Sequence, residues 1–275
     1  MYRRRFNISR YSKLKNLADT DSLYFINGKN LIYTLSPQLF SKNTFKDVYI
    51  LTYMFDCQFQ KYFCDFYDIP YKKYHITGEY PDFELKVTEN TDDCDKDFRE
   101  KVKSLVTIVD DEKLNDIGTT LNARSNQRKF LLSDSWYKEY YCENIRRNKY
   151  ENITYVARKV VEGLRAEQYI WCTFKQYKTK VQNEYLAEDS FLPLNMRAIN
   201  TKSKATHCLY LVNRFCFPAY TKFFAKKNIT INQDNWALSE LIQWVWRSAI
   251  RNNKPITLFI PSVRMRTLFK NWLGE

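Results

Sequence analysis

The sequence predicts an α/β protein with a parallel-type sheet flanked by helices. Three observations carry that expectation. The stretch "ITLFI" (Ile256 to Ile260) is an uninterrupted apolar run, as a strand buried on both faces requires. Apolar residues recur at helical spacing on either side of it: Leu238, Leu241, Ile242, Val245 and Ala249 before, and Met265, Leu268, Phe269, Trp272 and Leu273 after. Further β-prone runs, "YIWCTF" (169–174) and "HCLYLVN" (207–213), stand among segments of helical character.

From the start of the chain, "MYRRRFNISRYSKLK" is basic but has no apolar run after it, so it does not read as a signal peptide. "SLYFINGKNLIYTL" (22–35) places two β-prone runs around Asn27-Gly28, a pair that tolerates positive φ, and predicts a hairpin. "DVYILTY" (47–53) predicts a buried strand. In the next segment Phe55, Phe59, Tyr62, Phe63 and Phe66 share one helical stripe, with Pro70 past its end. The stripe reads first as packing against a sheet and second as a stacking surface.

Residues 79–116 carry concentrated acid without clean periodicity. Asp92, Asp93 and Asp95 lack the Gly and distal Glu of a calcium loop, so a solvated connector is expected and no metal site. That divides the chain into a first segment (1–78), a linker or insertion (79–130) and a second domain (131–275). Within the second domain Ser135 and Asn152 can cap helices, Asp234 or Asn235 caps the Leu238–Ala249 helix, Asn252 to Pro255 stop it, and Ser262 caps the last helix.

Composition narrows the function. Among 275 residues the net charge is +13 and 17% are aromatic, with pI near 9.3. A basic, ring-rich chain favours a polyanionic partner, nucleic acid above all, because neutralised phosphates release counterions and bases stack on rings. No run approaches the length of a membrane span. Seven cysteines without C-x-x-C spacing, and only two histidines, argue against a zinc cluster, a disulfide framework or a histidine-based hydrolase, and fit a reducing cytoplasm. With five glycines and no G-x-x-x-x-G-K-[ST], the chain has no phosphate-cradling loop of its own.

The segment "ALSELIQWVWRSAIRNNKPITLFIPSVRMRTLFKNWL" raises a sharper possibility. On a continuous helix Gln243, Arg247 and Arg251 form a slowly turning polar ridge that Glu240 could orient. A ridge of this kind can be a solvated face. Arg rather than Lys at both positions also suits bidentate contact with phosphate oxygens. Q-x-x-x-R-x-x-x-R opening into a buried strand resembles motif VI of superfamily 2 helicases. The run from "WCTFKQYK" through "FLPLNMRAIN" and "YLVNRFCFPAYTKFF" to the C-terminus resembles the C-terminal half of DEAD/DEAH-type helicase-like proteins of phages and mobile elements. "DVYILTYMFDCQFQKYFCDF" resembles the end of their first RecA-like domain.

That resemblance implies a second RecA-like domain preceded by a partial α/β segment with a β-hairpin. Arg247 would reach the γ-phosphate, Arg251 would make a second phosphate contact, and Gln243 would link them. Asn195, Arg197 and Asn200 would form a coupling loop to nucleic acid, and Thr52 would stand in a motif III-like place. Two departures matter. The family's second arginine falls seven residues after the Gln, where this chain has Ile250, and the Walker motifs are absent. ATP and Mg²⁺ are therefore expected only where a partner chain carrying the first RecA-like domain supplies them. Arg264 and Arg266, opening the last helix, are further candidates for a nucleic-acid phosphate, with solvated arginines as the alternative. Of Trp244 and Trp246, one is expected in the core and the other at an interface. The rival functions are a basic phage accessory DNA-binding protein without nucleotide chemistry and an interaction protein.

Overall fold

A computed structural model of the chain describes residues 12–20, 22–40, 44–78, 81–89, 95–115, 117, 130–139, 149–196 and 200–275. The strands are β1 Leu23–Ile26, β2 Asn30–Tyr33, β3 Tyr74–Thr77, β4 Glu84–Val87, β5 Val106–Ile108, β6 Tyr169–Cys172, β7 His207–Tyr210 and β8 Ile256–Phe259. The longer helices are α1 Ser12–Asp19, α2 Phe59–Phe66, α3 Lys96–Leu105, α4 Lys149–Val161, α5 Pro218–Ala225, α6 Gln233–Val245 and α7 Val263–Trp272. They fall into two compact units. One is Met1–Tyr74 with Cys216–Gln233, and the other is His75–Phe215 with Asp234–Glu275.

The larger unit is built on a four-stranded sheet in the order β5-β8-β7-β6, with every pair parallel. The α/β expectation with a parallel sheet therefore holds. Burial on both faces explains the apolar runs. In β6, Tyr169 and Trp171 join Leu209 and Phe259 in a core with Ile153, Val156 and Tyr137, while Ile170 and Cys172 pack on the opposite side beside Cys208 and Tyr210. Tyr210 meets Trp244 of α6 edge to face at 5.4 Å.

α6 carries the expected stripe, with Leu238, Leu241, Ile242 and Val245 all buried, and Ala249 buried just beyond it. Ser262 caps α7 by accepting from the Met265 amide at 3.4 Å. Met265, Phe269, Trp272 and Leu273 point inward, with Leu268 half-buried. The short helix at Asp134–Glu139 is capped by Ser133 rather than Ser135, since the Ser133 hydroxyl accepts from the Trp136 amide at 3.2 Å.

The smaller unit contains the predicted hairpin, β1 pairing with β2 antiparallel through Asn27 (φ 52°) and Gly28 (φ 65°). The aromatic stripe of α2 is packing, as expected, but against aromatic rings rather than a broad sheet. Phe66 lies over Phe223 of α5 at 4.4 Å, and Tyr24 of β1 meets Phe223 at 4.7 Å.

Two expectations fail. Residues 47–53 form no strand, and Leu51 is 93% exposed, since among the described residues none offers this apolar run a ladder. The acidic segment is not simply a connector. It contains α3 and then β5, whose Val106 pairs with Ile256 and so supplies the edge strand of the main sheet.

Candidate functional site

Three of the residues singled out in the last third of the chain, Asn195, Gln243 and Arg247, come together beside the edge strand β6. After β6 the chain returns along that edge. Leu192 donates its amide to the Trp171 carbonyl at 2.9 Å, and the Trp171 indole donates to the Ala187 carbonyl at 2.8 Å. This edge cover presents Leu194 and Asn195 to α6. Trp244 fixes the facing helix by donating from its indole to the Leu192 carbonyl at 3.0 Å. Between them is a polar cavity of about 90 Å³ lined by Leu194, Asn195, Glu240, Gln243 and Arg247.

The structure thus brings Asn195, Gln243 and Arg247 to one place. It does not keep the ridge. α6 ends at Val245; the Trp246 amide still reaches Ile242, and the two amides after it switch to three-residue hydrogen bonds, Arg247 to Trp244 and Ser248 to Val245. Ser248 is extended (φ −84°, ψ −167°), and the Ala249 amide leaves the helix to bond the Ala205 carbonyl at 2.8 Å. Arg251 sits in a separate 3-10 turn, Ala249–Asn252, and donates to the Asn200 side chain. Nor is the surviving part of the ridge a solvated face. Arg247 is 9% exposed and lines the cavity wall together with Glu240 and Gln243.

Behind the cavity lies a second cluster at the carboxyl ends of β7 and β8, where α/β sheets commonly bind ligands. Arg214 pairs with Glu240 at 3.2 Å and lies over the Trp236 ring at 5.1 Å. Arg264 is heavily committed. It donates to Asp234 from Nε at 2.9 Å and from Nη2 at 2.6 Å, to Asn213 at 3.0 Å and to the Arg214 carbonyl at 2.7 Å, with Phe215 against its plane. Arg266 donates to the Ile260 carbonyl at 2.7 Å and pairs with Asp110 at 3.5 Å. Burial holds the Arg266 guanidinium below its usual range, and Lys270 beside Asp110 holds that carboxyl below its own. Both candidate arginines of α7 are thus engaged within the protein.

The crevice above the middle of the sheet is filled by the protein itself. Asn213 donates its amide to the Leu132 carbonyl at 2.8 Å, and Tyr137 donates its hydroxyl to the Leu211 carbonyl at 2.8 Å. Thr52 belongs to the smaller unit, half-buried in the strandless 47–53 stretch, and Arg197 lies outside the described residues. Trp244 is fully buried, while Trp246 packs on Phe98 of α3 at 5.1 Å. Arg214 was not singled out by sequence reasoning. Its place directly after a buried strand is the signal that points to it.

Among the described residues no cluster of His, Cys, Asp and Glu could hold a metal ion, and no helix is long and apolar enough to cross a membrane. Residues 100–273 match the family model described as the YonV C-terminal Rossmann-like domain. The chain belongs to the YonV C-terminal Rossmann-like domain family. It is 33% identical over 263 residues to the SPbeta prophage-derived protein YonV of Bacillus subtilis (strain 168), which covers 96% of this chain and 60% of that relative. The chain therefore spans about 60% of the length of YonV. No solved structure matches it. Membership of the YonV family establishes a Rossmann-like α/β domain and does not extend to a DEAD/DEAH helicase half.

Proposed function

We infer that the chain is a nucleic-acid-binding protein acting in a phage-type cytoplasmic setting, with DNA as its ligand. The distribution of charge carries this reading. The smaller unit holds fifteen Lys and Arg against six Asp and no Glu, which is nine of the thirteen excess positive charges. A surplus concentrated on fewer than a hundred residues attracts phosphates far more strongly than one spread over the chain. The prophage origin of the YonV relative adds a setting in which DNA is the abundant polyanion. The test is fluorescence anisotropy with short single-stranded and forked DNA. Affinity should fall steeply, by an order of magnitude or more, between about 50 and 200 mM salt. No binding, or a flat response to salt, would overturn the reading.

The polar cavity favours a second, nucleotide-linked reading. Asn195, Gln243 and Arg247, with Glu240 in the same wall, line a polar space, and the helicase resemblance implies a phosphate contact there for Arg247 with Gln243 beside it. Gln243 and Arg247 would then complete a phosphate site in a partner chain that supplies Walker motifs, ATP and Mg²⁺, with Arg251 and Asn200 bracing the adjoining turn. Phosphoryl transfer needs its phosphates and Mg²⁺ held before an arginine can stabilise the transition state. The purified chain alone should therefore show no ATPase activity with or without DNA. Turnover lost on mutating one of its own residues would refute this dependence on a partner.

A further inference from the structure

The smaller unit contains an apolar cavity of about 300 Å³ between β2, α2 and α5. Its walls are largely aromatic. Phe59 lies 5.1 Å from Tyr220 and stacks at 10° on Phe224, and Phe63 and Phe40 meet at 5.4 Å. Tyr220 remains 40% exposed and Tyr33, at the β2 side, 76% exposed. Polar groups at the same cavity are few: Gln60, half-buried, and Thr34, whose hydroxyl is hydrogen-bonded to Tyr67 at 3.0 Å. Lys222, Lys226 and Lys227 are all exposed, on α5 and the turn that follows it, with Lys227 paired to Asp68 at 3.0 Å.

We propose that this cavity is a nucleobase pocket, taking an unpaired base of a single strand between its rings while the surplus cations of the same unit hold the phosphates. The proposal rests on the nucleic-acid reading above and adds to it a site, a strandedness and a mode of contact. Charge selects this occupant. A flat heterocycle on a polyanionic backbone satisfies both the rings and the surplus of nine positive charges in this unit. An apolar protein segment would leave that surplus unmatched, and a second copy of the chain would bring two such surpluses together. The Gln60 carboxamide, both donor and acceptor, can bond the edge of the inserted base. Stacking on this platform is tolerant of sequence, because every base has a π face.

The experiment compares the full chain bound to a normal single strand, to an abasic strand of equal length and to a strand carrying one 2-aminopurine. The abasic strand keeps the phosphates and removes the bases. It should bind about tenfold or more weakly, and 2-aminopurine fluorescence should be quenched on binding. Tyr220→Ala should lose about tenfold in affinity for the normal strand and most of the quenching, while Tyr220→Phe retains both. Equal affinity for normal and abasic strands, each salt-sensitive, would overturn the base pocket while leaving nucleic-acid binding intact. Failure to bind any of the three would remove the underlying reading as well. If Tyr220→Ala misfolds by circular dichroism, the abasic comparison on the unmodified chain still decides. Self-association in sedimentation that Tyr220→Ala abolishes, with DNA affinity unchanged, would reassign the cavity to an interface between copies.

Discussion

Arg214, in the loop that leaves β7, holds Glu240 of α6 at 3.2 Å with both side chains at least four-fifths buried. This pair joins the carboxyl-end arginine cluster to the wall of the polar cavity, because Glu240 also lines that cavity with Gln243 and Arg247. Removing the carboxylate leaves buried guanidinium charge uncompensated. Glu240→Ala should therefore destabilise the fold by about 2–4 kcal/mol. A double-mutant cycle with Arg214→Ala, read from urea midpoints, should show coupling above about 1 kcal/mol. An additive cycle would mean that the pair contributes nothing specific.

Arg264 should be intolerant even of lysine. Its planar fork meets Asp234 through two nitrogens and also reaches Asn213 and the Arg214 carbonyl, a geometry that one ammonium cannot reproduce. Arg264→Ala should cost about 2–3 kcal/mol, because the buried Asn213 side chain and the Arg214 carbonyl lose their donor while the exposed Asp234 rehydrates, and Arg264→Lys should recover less than half of that loss. Thermal unfolding of the two variants separates a geometric requirement from a charge requirement.

Stability should fall as the solution is acidified through the histidine range. Burial lowers the His207 pKa below its unfolded value of about 6.5, so the native state favours the neutral ring. Below that unfolded value the unfolded chain binds the extra proton first. Stability is therefore fully present above about pH 6.5 and declines until the folded ring also titrates. Urea midpoints taken through the histidine range, compared with His207→Gln, isolate the contribution. An unchanged slope in the variant would assign it elsewhere.

Cys172 and Cys208 should resist alkylation in the native protein. Both are fully buried in the sheet, and burial raises the Cys208 thiol to about 12 and the Cys172 thiol well above its ordinary value. Thiolate is the reactive form, so labelling should require unfolding. Mass spectrometry after iodoacetamide treatment, with and without denaturant, gives the protection of each. Rapid native labelling of Cys208 would show that the sheet opens locally.

The parts legible in the sequence are those fixed by neighbours a few residues away. Asn27-Gly28 makes its own turn, and Ser262 reaches an amide three residues on. The features that escaped depend on distant chain. "ALSELIQWVWRSAIRNN" keeps helical spacing past Val245, and the helix stops because the Ala249 amide is taken by Ala205. Val106–Ile108 is too short to announce a strand, and its partner lies about 150 residues further on. Val48 to Leu51 shows the converse, a strand-like run that pairs with no strand among the described residues. For the candidate site, residue types and spacing identified Gln243 and Arg247, while the edge cover that sets Asn195 opposite them follows from tertiary hydrogen bonds.

The smaller unit is discontinuous in sequence, and this has a consequence during synthesis. Its first portion, Met1–Tyr74, leaves the ribosome well before Cys216–Gln233, which supplies α5 and the rings of Phe223 and Phe224. At about 5–20 residues per second, the nascent N-terminal portion waits roughly 10–30 s for its missing wall. Phe66, Tyr24 and Phe59 lack their α5 partners throughout that interval. A nascent chain halted before residue 216 should therefore be protease-sensitive in its first seventy residues and bound by chaperones, whereas one extended past residue 233 should release them.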